Sequence, residues 1–349
     1  MGLSAWYNAV VCGQELVDVT SQNGWPVIGH DWAVAHLCRS LAHGRVRHAY
    51  LITGPDSVGK TTLARAFAQA INCQGDAPPC GACRSCQLIA RGVHPDAPIV
   101  EAEREGGALK IDQARGLQQL LALRPVEARY RTPMLLRFHE ATLAAQDALL
   151  KTLEEPPPHV VLILTAERAD ALLPTIVSRC QVLSLRPLPL ETVQSALQAC
   201  FGVPAAQADL LARLSGGRLG WAVRAAAAPE LLGARTEALD QLETLLREDR
   251  VARFRYAAQA AKDAAALREL LVAWQVFWRD VLMVASGGDV PVVNVDRQGT
   301  VQALARSAGV EGAGAALEAV GAALDRFSRN ANARLTLEVL LMDLPSDKR

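Results

Sequence analysis

The chain has 349 residues, half of them hydrophobic and 5% aromatic, with 36 Lys+Arg against 36 Asp+Glu. That length exceeds one ordinary core and predicts two or three domains, packed mainly with Ala, Leu and Val. The balanced charge excludes a strong overall field for nucleic acid or membrane and leaves only local basic patches. No apolar run approaches bilayer length. Met1-Gly2-Leu3-Ser4-Ala5-Trp6 does not set a basic segment before an apolar one. The expectation is a soluble cytoplasmic protein, in which eight cysteines point to metal or free thiols rather than disulfides.

Residues 1–24 show no clear period and read as an N-terminal extension or a start placed too early. Trp25-Pro26-Val27-Ile28-Gly29-His30 opens the first organised segment. Ala33, Val34, Leu37 and Leu41 then share one face of a helix that Gly44 ends. The apolar run Ala49-Tyr50-Leu51-Ile52 leads into Gly54-Pro55-Asp56-Ser57-Val58-Gly59-Lys60-Thr61, followed by the helical pattern Leu63–Ala68. Strand, G-x-x-x-x-G-K-T and helix together are the context a phosphate-binding loop requires. Gly54 and Gly59 allow the tight turn and direct N–H groups at phosphate oxygens, and the helix N-terminus adds partial positive charge. Lys60 reaches the β- and γ-phosphates and Thr61 offers its hydroxyl to Mg²⁺. Ser57, Val58 and Thr62 complete the candidate nucleotide contacts. A glycine-rich turn that happens to hold a lysine is the plainer alternative; both flanks argue against it.

That helix is predicted to end near Asn72. Cys73, Cys80, Cys83 and Cys86 follow with C-x6-C-x2-C-x2-C spacing in a Gly/Pro-rich loop. Four thiolates so spaced can close a tetrahedral Zn²⁺ shell with no open position, which is a structural rather than a catalytic site. A redox pair at Cys80/Cys83 and four unrelated thiols are the alternatives. Cys12, Cys38, Cys180 and Cys200 are scattered and read as packing residues, and His94 reads as a loop residue.

Ala97–Val100, Thr132–Phe138 and His159–Thr165 read as strands. Helices are predicted between them, from Ile111 to about Leu123 and from Ala144 to Glu155, the second stopped by Pro156-Pro157-Pro158. Strands alternating with helices predict a parallel sheet. Beyond about 188 the pattern turns helical and alanine-rich: Leu211–Ala228 with Gly216-Gly217 as a break, Leu231–Arg247, a longer helical region Arg253–Ala285 and at least two helices within 300–344. Trp274, Phe277 and Trp278 at helical spacing read as core. The predicted domains are 25–187 with the cysteine module at 73–86, a helical segment 188–230, and 231–349.

Taken in order, Gly44–Leu51, the phosphate loop, the cysteine module, Ala148-Leu149-Leu150-Lys151-Thr152-Leu153-Glu154-Glu155-Pro156-Pro157 and Ser178-Arg179-Cys180 resemble the bacterial sliding-clamp loader subunits of the AAA+ class. The resemblance is most specific over 44–187. Asn330-Ala331-Asn332-Ala333-Arg334-Leu335 and Glu338 resemble the last helices of the delta-prime branch of that family. The resemblance implies an AAA+ α/β domain, a helical lid at 188–230, and an all-helical collar at 231–349. The collar would join a pentameric ring with tau/gamma and delta subunits, which acts on the sliding clamp and primed DNA. It also implies that Arg179 is an arginine finger reaching a neighbour's ATP. A surface arginine capping a helix Ala171–Val177 is the alternative.

The departures carry as much information. Motor subunits of the family hold Mg²⁺ with an Asp-Glu pair; the corresponding positions are Leu136 and Arg137, which can neither bind Mg²⁺ nor act as a base. Glu140 could substitute only in a shifted register. The lid arginine of motor subunits corresponds to Gly220, with Arg218 two residues earlier, about 200° round a helix. Thr165 matches a γ-phosphate-sensing position, or is a strand-terminal hydroxyl. The expectation is a delta-prime-like subunit that can bind ATP with Mg²⁺ but turns it over weakly, and is not itself a polymerase. A tau/gamma motor is the runner-up, disfavoured also by the lack of a long tail. A zinc-containing scaffold with a vestigial nucleotide loop is the third reading.

Overall fold

The computed structural model of the chain describes residues 24–104, 107–288, 292–329 and 331–345; the expected extension up to residue 23, Cys12 and Asn330 lie outside them. The described residues form two compact units, residues 24–208 with Gly217–Trp221, and Asp209–Gly216 with residues 222–345.

The first unit contains, in chain order, α1 (Asp31–Ala42), β1 (Ala49–Thr53), α2 (Lys60–Asn72), α3 (Arg84–Arg91), β2 (Ile99–Val100), α4 (Ile111–Leu121), β3 (Met134–Leu135), α5 (Leu143–Glu154), β4 (Leu162–Ala166), α6 (Pro174–Val177), β5 (Gln181–Ser184) and α7 (Leu190–Phe201). The five strands form one parallel sheet in the order β2-β3-β4-β1-β5. Interior strands of such a sheet are covered on both faces and therefore need near-continuous apolar sequence. β1 and β4 meet that demand, each buried along its whole length. Side chains alternate across the sheet. Tyr50 and Ile52 join Trp25, Leu37, Leu63, Phe67 and Ile163 on one face, and Ala49 and Leu51 join Leu117, Leu149, Leu162 and Ile176 on the other. This is the parallel α/β sheet expected from the sequence, and among the described residues only helices follow it.

Several boundaries differ from expectation. The strand expected over Thr132–Phe138 is Met134–Leu135 alone, because Pro133 has no N–H to give and Arg137 turns left-handed (φ 48). The helix expected over Ala171–Val177 begins only at Pro174; Ala169–Ala171 is a short 3₁₀ turn. β5 was not expected at all. Only Leu183 of its residues is buried, so it lacks the apolar run of the interior strands. Helix α3 was hidden in the cysteine module, where Cys83 Sγ accepts from Cys86 N–H as its N-cap.

The loop between α4 and β3 is pinned by one buried carboxylate. Asp96 is 0% exposed, accepts N–H bonds from Val126, Glu127 and Ala128 at 2.9–3.0 Å, and pairs with Arg131 at 3.1 Å. Arg131 in turn donates to the carbonyls of Leu120 and Arg124. His94, expected as a plain loop residue, is buried beside it, against Ser85 Oγ (3.2 Å) and the Asp96 N–H.

The helices that follow are α8 (Ala205–Ser215), α9 (Leu219–Ala227), α10 (Pro229–Arg247), α11 (Arg250–Ala260), α12 (Ala264–Ala285), α13 (Gln298–Ser328) and α14 (Ala333–Asp343). The helical stretch read over Leu211–Ala228 is broken at Gly216-Gly217 as expected, both glycines having positive φ. The stretch read over Arg253–Ala285 is two helices. The second unit is packed around Trp274, Phe277 and Trp278, all fully buried, with Leu242, Leu271, Val320 and Leu340. Buried Arg253 donates to the carbonyls of Leu245 and Leu341, satisfying orphan groups at the ends of α10 and α14.

Burial raises the Asp96 pKa, but the three backbone donors and Arg131 outweigh it and hold the carboxyl below the usual range. Its contribution is therefore fully present above the unfolded value of about 3.9 and is lost as pH falls through the lower folded value. Asp96→Asn is expected to lower the unfolding free energy at pH 7 by about 3 kcal/mol and to flatten the stability loss below pH 4. Urea unfolding of both proteins at pH 7 and pH 3 measures both effects.

Candidate functional site

The loop after β1 is shaped by three residues with positive φ: Gly54 (147), Ser57 (60) and Gly59 (111). A Cβ at Gly54 would lie 2.6 Å from the Leu185 carbonyl oxygen, so only glycine fits. Gly59 is the N-cap of α2, with no side-chain cap. The first-turn N–H groups of Lys60, Thr61 and Thr62 have no intrahelical partner and carry the positive end of the helix dipole. Lys60, 8% exposed, folds over the loop with Nζ 2.7 Å from the carbonyl oxygens of both Gly54 and Pro55. This arrangement is a concave nest of backbone donors with one ammonium beside it, at the carboxyl end of the sheet, and its chemistry suits phosphate oxygens.

Two other segments grip the same loop from outside. His30, the left-handed N-cap of α1 (φ 56), sets Nε2 3.0 Å from the Val58 carbonyl oxygen. Gly220 donates its N–H to the Ser57 carbonyl at 2.9 Å. A Cβ at Gly220 would lie 2.9 Å from that oxygen, so the position expected for a lid arginine is instead a backbone contact. Arg218 lies over the Trp221 ring, 5.8 Å from its centroid. His30 carries no site signal in the sequence, since a lone histidine before a helix has none.

Next to the loop, the ends of β3 and β4 meet. Glu167, just after β4, accepts the Gly54 N–H with its carbonyl. Thr165 Oγ1 accepts the Arg137 N–H at 2.9 Å. The Arg137 guanidinium bridges two carboxylates, Glu140 at 3.0 Å and Glu101 at 3.3 Å. Leu136 points into the core. A cation thus stands at the end of β3, and Glu140 is engaged as its counter-ion.

Arg179 belongs to the opposite edge of the sheet. It precedes β5 at the end where that strand begins, whereas the phosphate loop follows the end of β1, and the two strands are parallel. The five residues of β1 separate these edges by roughly 16 Å. Arg179 donates to the Thr175 carbonyl (3.0 Å) and to Glu154 (2.9 Å), and its side chain is 35% exposed. Such a surface pair is worth at most about 1 kcal/mol and yields to a stronger anion.

The cysteine module converges. The sulfurs of Cys73, Cys80, Cys83 and Cys86 all lie within 4.8 Å of one another; a tetrahedral shell with Zn–S of about 2.3 Å needs separations of about 3.8 Å. Backbone N–H groups of Gly75 and Cys80 point at Cys73 Sγ, that of Cys83 at Cys80 Sγ, and that of Cys86 at Cys83 Sγ, a donor set suited to thiolates. The Cys83 N–H and its neighbours lower the Cys80 thiol to about 6, while burial pushes Cys86 up. The cluster can hold a metal ion. Gln69 of α2 anchors it through the Cys86 carbonyl at 2.9 Å. The remaining described cysteines do not join it: Cys38 packs on one core face, Cys180 on the other, and Cys200 is half-buried.

Residues 29–189 match the family model described as DNA polymerase III, delta subunit. The gamma/tau subunit of DNA polymerase III from Mycobacterium bovis is 39% identical over 175 residues, which cover 49% of this chain and 30% of that protein. The tau subunit from Escherichia coli is 34% identical over 174 residues, covering 49% and 27% respectively. The chain therefore spans under a third of these curated relatives. A DNA polymerase III gamma subunit-related protein from Thermotoga maritima aligns over 88% of this chain and 97% of its own, at 18% identity and a TM-score of 0.41. Residues 29–189, under half of the chain, are thus similar to DNA polymerase III subunits.

Proposed function

We propose that this chain is a delta-prime-like subunit of a bacterial replicative clamp loader: it binds nucleotide, hydrolyses it weakly or not at all, and supplies Arg179 to the nucleotide of a neighbouring subunit. The observation that carries the reading is the contrast between a complete phosphate nest and Arg137, paired with Glu101 and Glu140, at the end of β3. Holding phosphate needs N–H donors and Lys60. Hydrolysis also needs a carboxylate for Mg²⁺ and an oriented water, and a guanidinium does neither.

In this reading Gly54, Ser57, Val58, Gly59, Lys60, Thr61 and Thr62 hold ATP, whose Mg²⁺ would neutralise phosphate charge beside the Thr61 hydroxyl. Thr165 stays engaged with the Arg137 N–H. Arg179 lies a sheet's width from its own phosphate loop, so its guanidinium serves a different chain. Residues 188–230 act as the lid and 231–349 as a collar joining tau/gamma and delta neighbours in a pentameric ring around the clamp and primed DNA, in the cytoplasm. Among the described residues no helix is long and apolar enough to cross a membrane. The four cysteines hold a structural Zn²⁺.

The names of the curated relatives, gamma/tau and tau, favour a second reading as the motor subunit. Glu140 would then be the base and would have to leave Arg137.

Arg179→Ala in the assembled loader is expected to leave assembly intact on size exclusion and to slow turnover at the one site it serves by on the order of 10³-fold. An unchanged ATPase rate removes the finger assignment. Cys83→Ser is expected to reduce bound zinc from one equivalent to near zero by elemental analysis and to make residues 73–86 sensitive to protease; full metal retention contradicts the four-cysteine site.

A further inference from the structure

We propose that His30 is a positioning residue of the phosphate loop, holding the Val58 carbonyl outward so that the next N–H, that of Gly59, is aimed at a bound phosphate. The inference rests on the reading that this loop binds nucleotide. It assigns a role to a residue outside the G-x-x-x-x-G-K-T motif.

The argument starts from the peptide unit. A trans peptide is planar, with its N–H antiparallel to its C=O. Fixing the direction of one carbonyl therefore fixes the opposite direction for the following N–H. The Val58 oxygen lies 3.0 Å from His30 Nε2. A carbonyl only accepts, so Nε2 carries the proton and the tautomer follows from the partner. The N–H antiparallel to that carbonyl is the one on Gly59, at the mouth of α2. The preceding unit is held in the same way: the Ser57 carbonyl accepts the Gly220 N–H, which turns the Val58 N–H away from Gly220. Two successive carbonyls are thus tied from outside by two separate segments. Two successive N–H groups then face the concave side, as anion binding demands.

His30 is poorly explained as a helix cap. It is the N-cap of α1 and yet makes no side-chain capping bond, where Asn, Asp or Ser would be the usual choice. It also adopts φ 56, a left-handed conformation that is strained for a residue bearing a side chain. His30 is 8% exposed. A Cβ added at Gly59 would come within 3.9 Å of Nε2, so the imidazole borders the glycine whose N–H it orients. Burial holds the imidazole pKa below its ordinary value, opposed by the Val58 hydrogen bond and by Asp31. The neutral ring keeps its Nε2–H available at neutral pH.

The test compares the whole chain as wild type, His30→Ala, His30→Gln and Lys60→Ala, titrated with MgADP and with Mg²⁺ plus a non-hydrolysable ATP analogue. The readout is affinity, with thermal melting of the nucleotide-free proteins alongside. Lys60→Ala reports whether binding occurs at this loop. His30→Ala is expected to weaken binding at least tenfold while the nucleotide-free melting temperature stays close to wild type. His30→Gln, which keeps an N–H donor, is expected to recover most of that loss. Equal affinity of His30→Ala and wild type overturns the proposal and leaves the nucleotide-binding reading standing. A glutamine variant as weak as the alanine variant also overturns it, since the ring would then act by packing alone. A wild type that binds neither ligand, or Lys60→Ala binding as tightly as wild type, overturns the reading of the loop and the role of His30 with it.

Discussion

The structure depends on the burial of β1 on both faces between β4 and β5. Five consecutive buried residues, Ala49–Thr53, deliver the chain to the carboxyl edge of the sheet at one fixed point and heading. The phosphate loop inherits that position. Its backbone is then tied at several points: Gly54 N–H to Glu167, Ser57 carbonyl to Gly220, Val58 carbonyl to His30, and the Gly54 and Pro55 carbonyls to Lys60. The ties at Ser57 and Val58 engage carbonyls, so the N–H groups that follow them, on Val58 and Gly59, point the opposite way. In the proposed reading, affinity for phosphate would come from this backbone array rather than from a charged surface, in keeping with a chain of zero formal net charge.

The neighbouring position is built in the opposite sense. A hydrolytic site at the end of β3 would place carboxylates there, where their charge could bind Mg²⁺. This chain places a guanidinium there and surrounds it with Glu101, Glu140 and the Thr165 hydroxyl. The left-handed turn at Arg137 shortens the strand and sends the following residues into a 3₁₀ turn. The same residue thus ends the strand, pairs the carboxylate that could have served as a base, and engages the hydroxyl that could have sensed phosphate. A second arginine, Arg179, is held lightly at the far edge of the sheet by Glu154. Binding and hydrolysis are separate demands, and in the proposed reading this chain meets only the first with its own residues.

Much of this was legible in the sequence because it rests on local pattern. The glycine spacing, the apolar run before it and the helical period after it define the loop at 54–61. The cysteine spacing foretold the cluster at 73–86, and the triple proline the end of α5. What stayed hidden depends on partners distant in sequence. Glu101 and Arg137 meet only across the ends of β2 and β3. His30 and Gly220 reach the loop from 28 residues before it and from the segment after Gly217. β5 escaped notice because Gln181 and Ser184 give it the polar look of a loop. Helix α3 is brief and is capped by a cysteine sulfur, not by one of the usual capping residues. The shortened helix before Arg179 follows from Pro174, which suits the first turn of a helix and not its middle.

The central claim is that one loop binds nucleotide while the residues beside it have lost hydrolysis. The most direct measurement pairs MgATP affinity with steady-state turnover on the purified chain alone, in the same buffer. The account predicts saturable binding that Lys60→Ala abolishes, with turnover indistinguishable from a protein-free control. Brisk turnover that Glu140→Gln abolishes would contradict it, showing that Glu140 leaves Arg137 to act as the base.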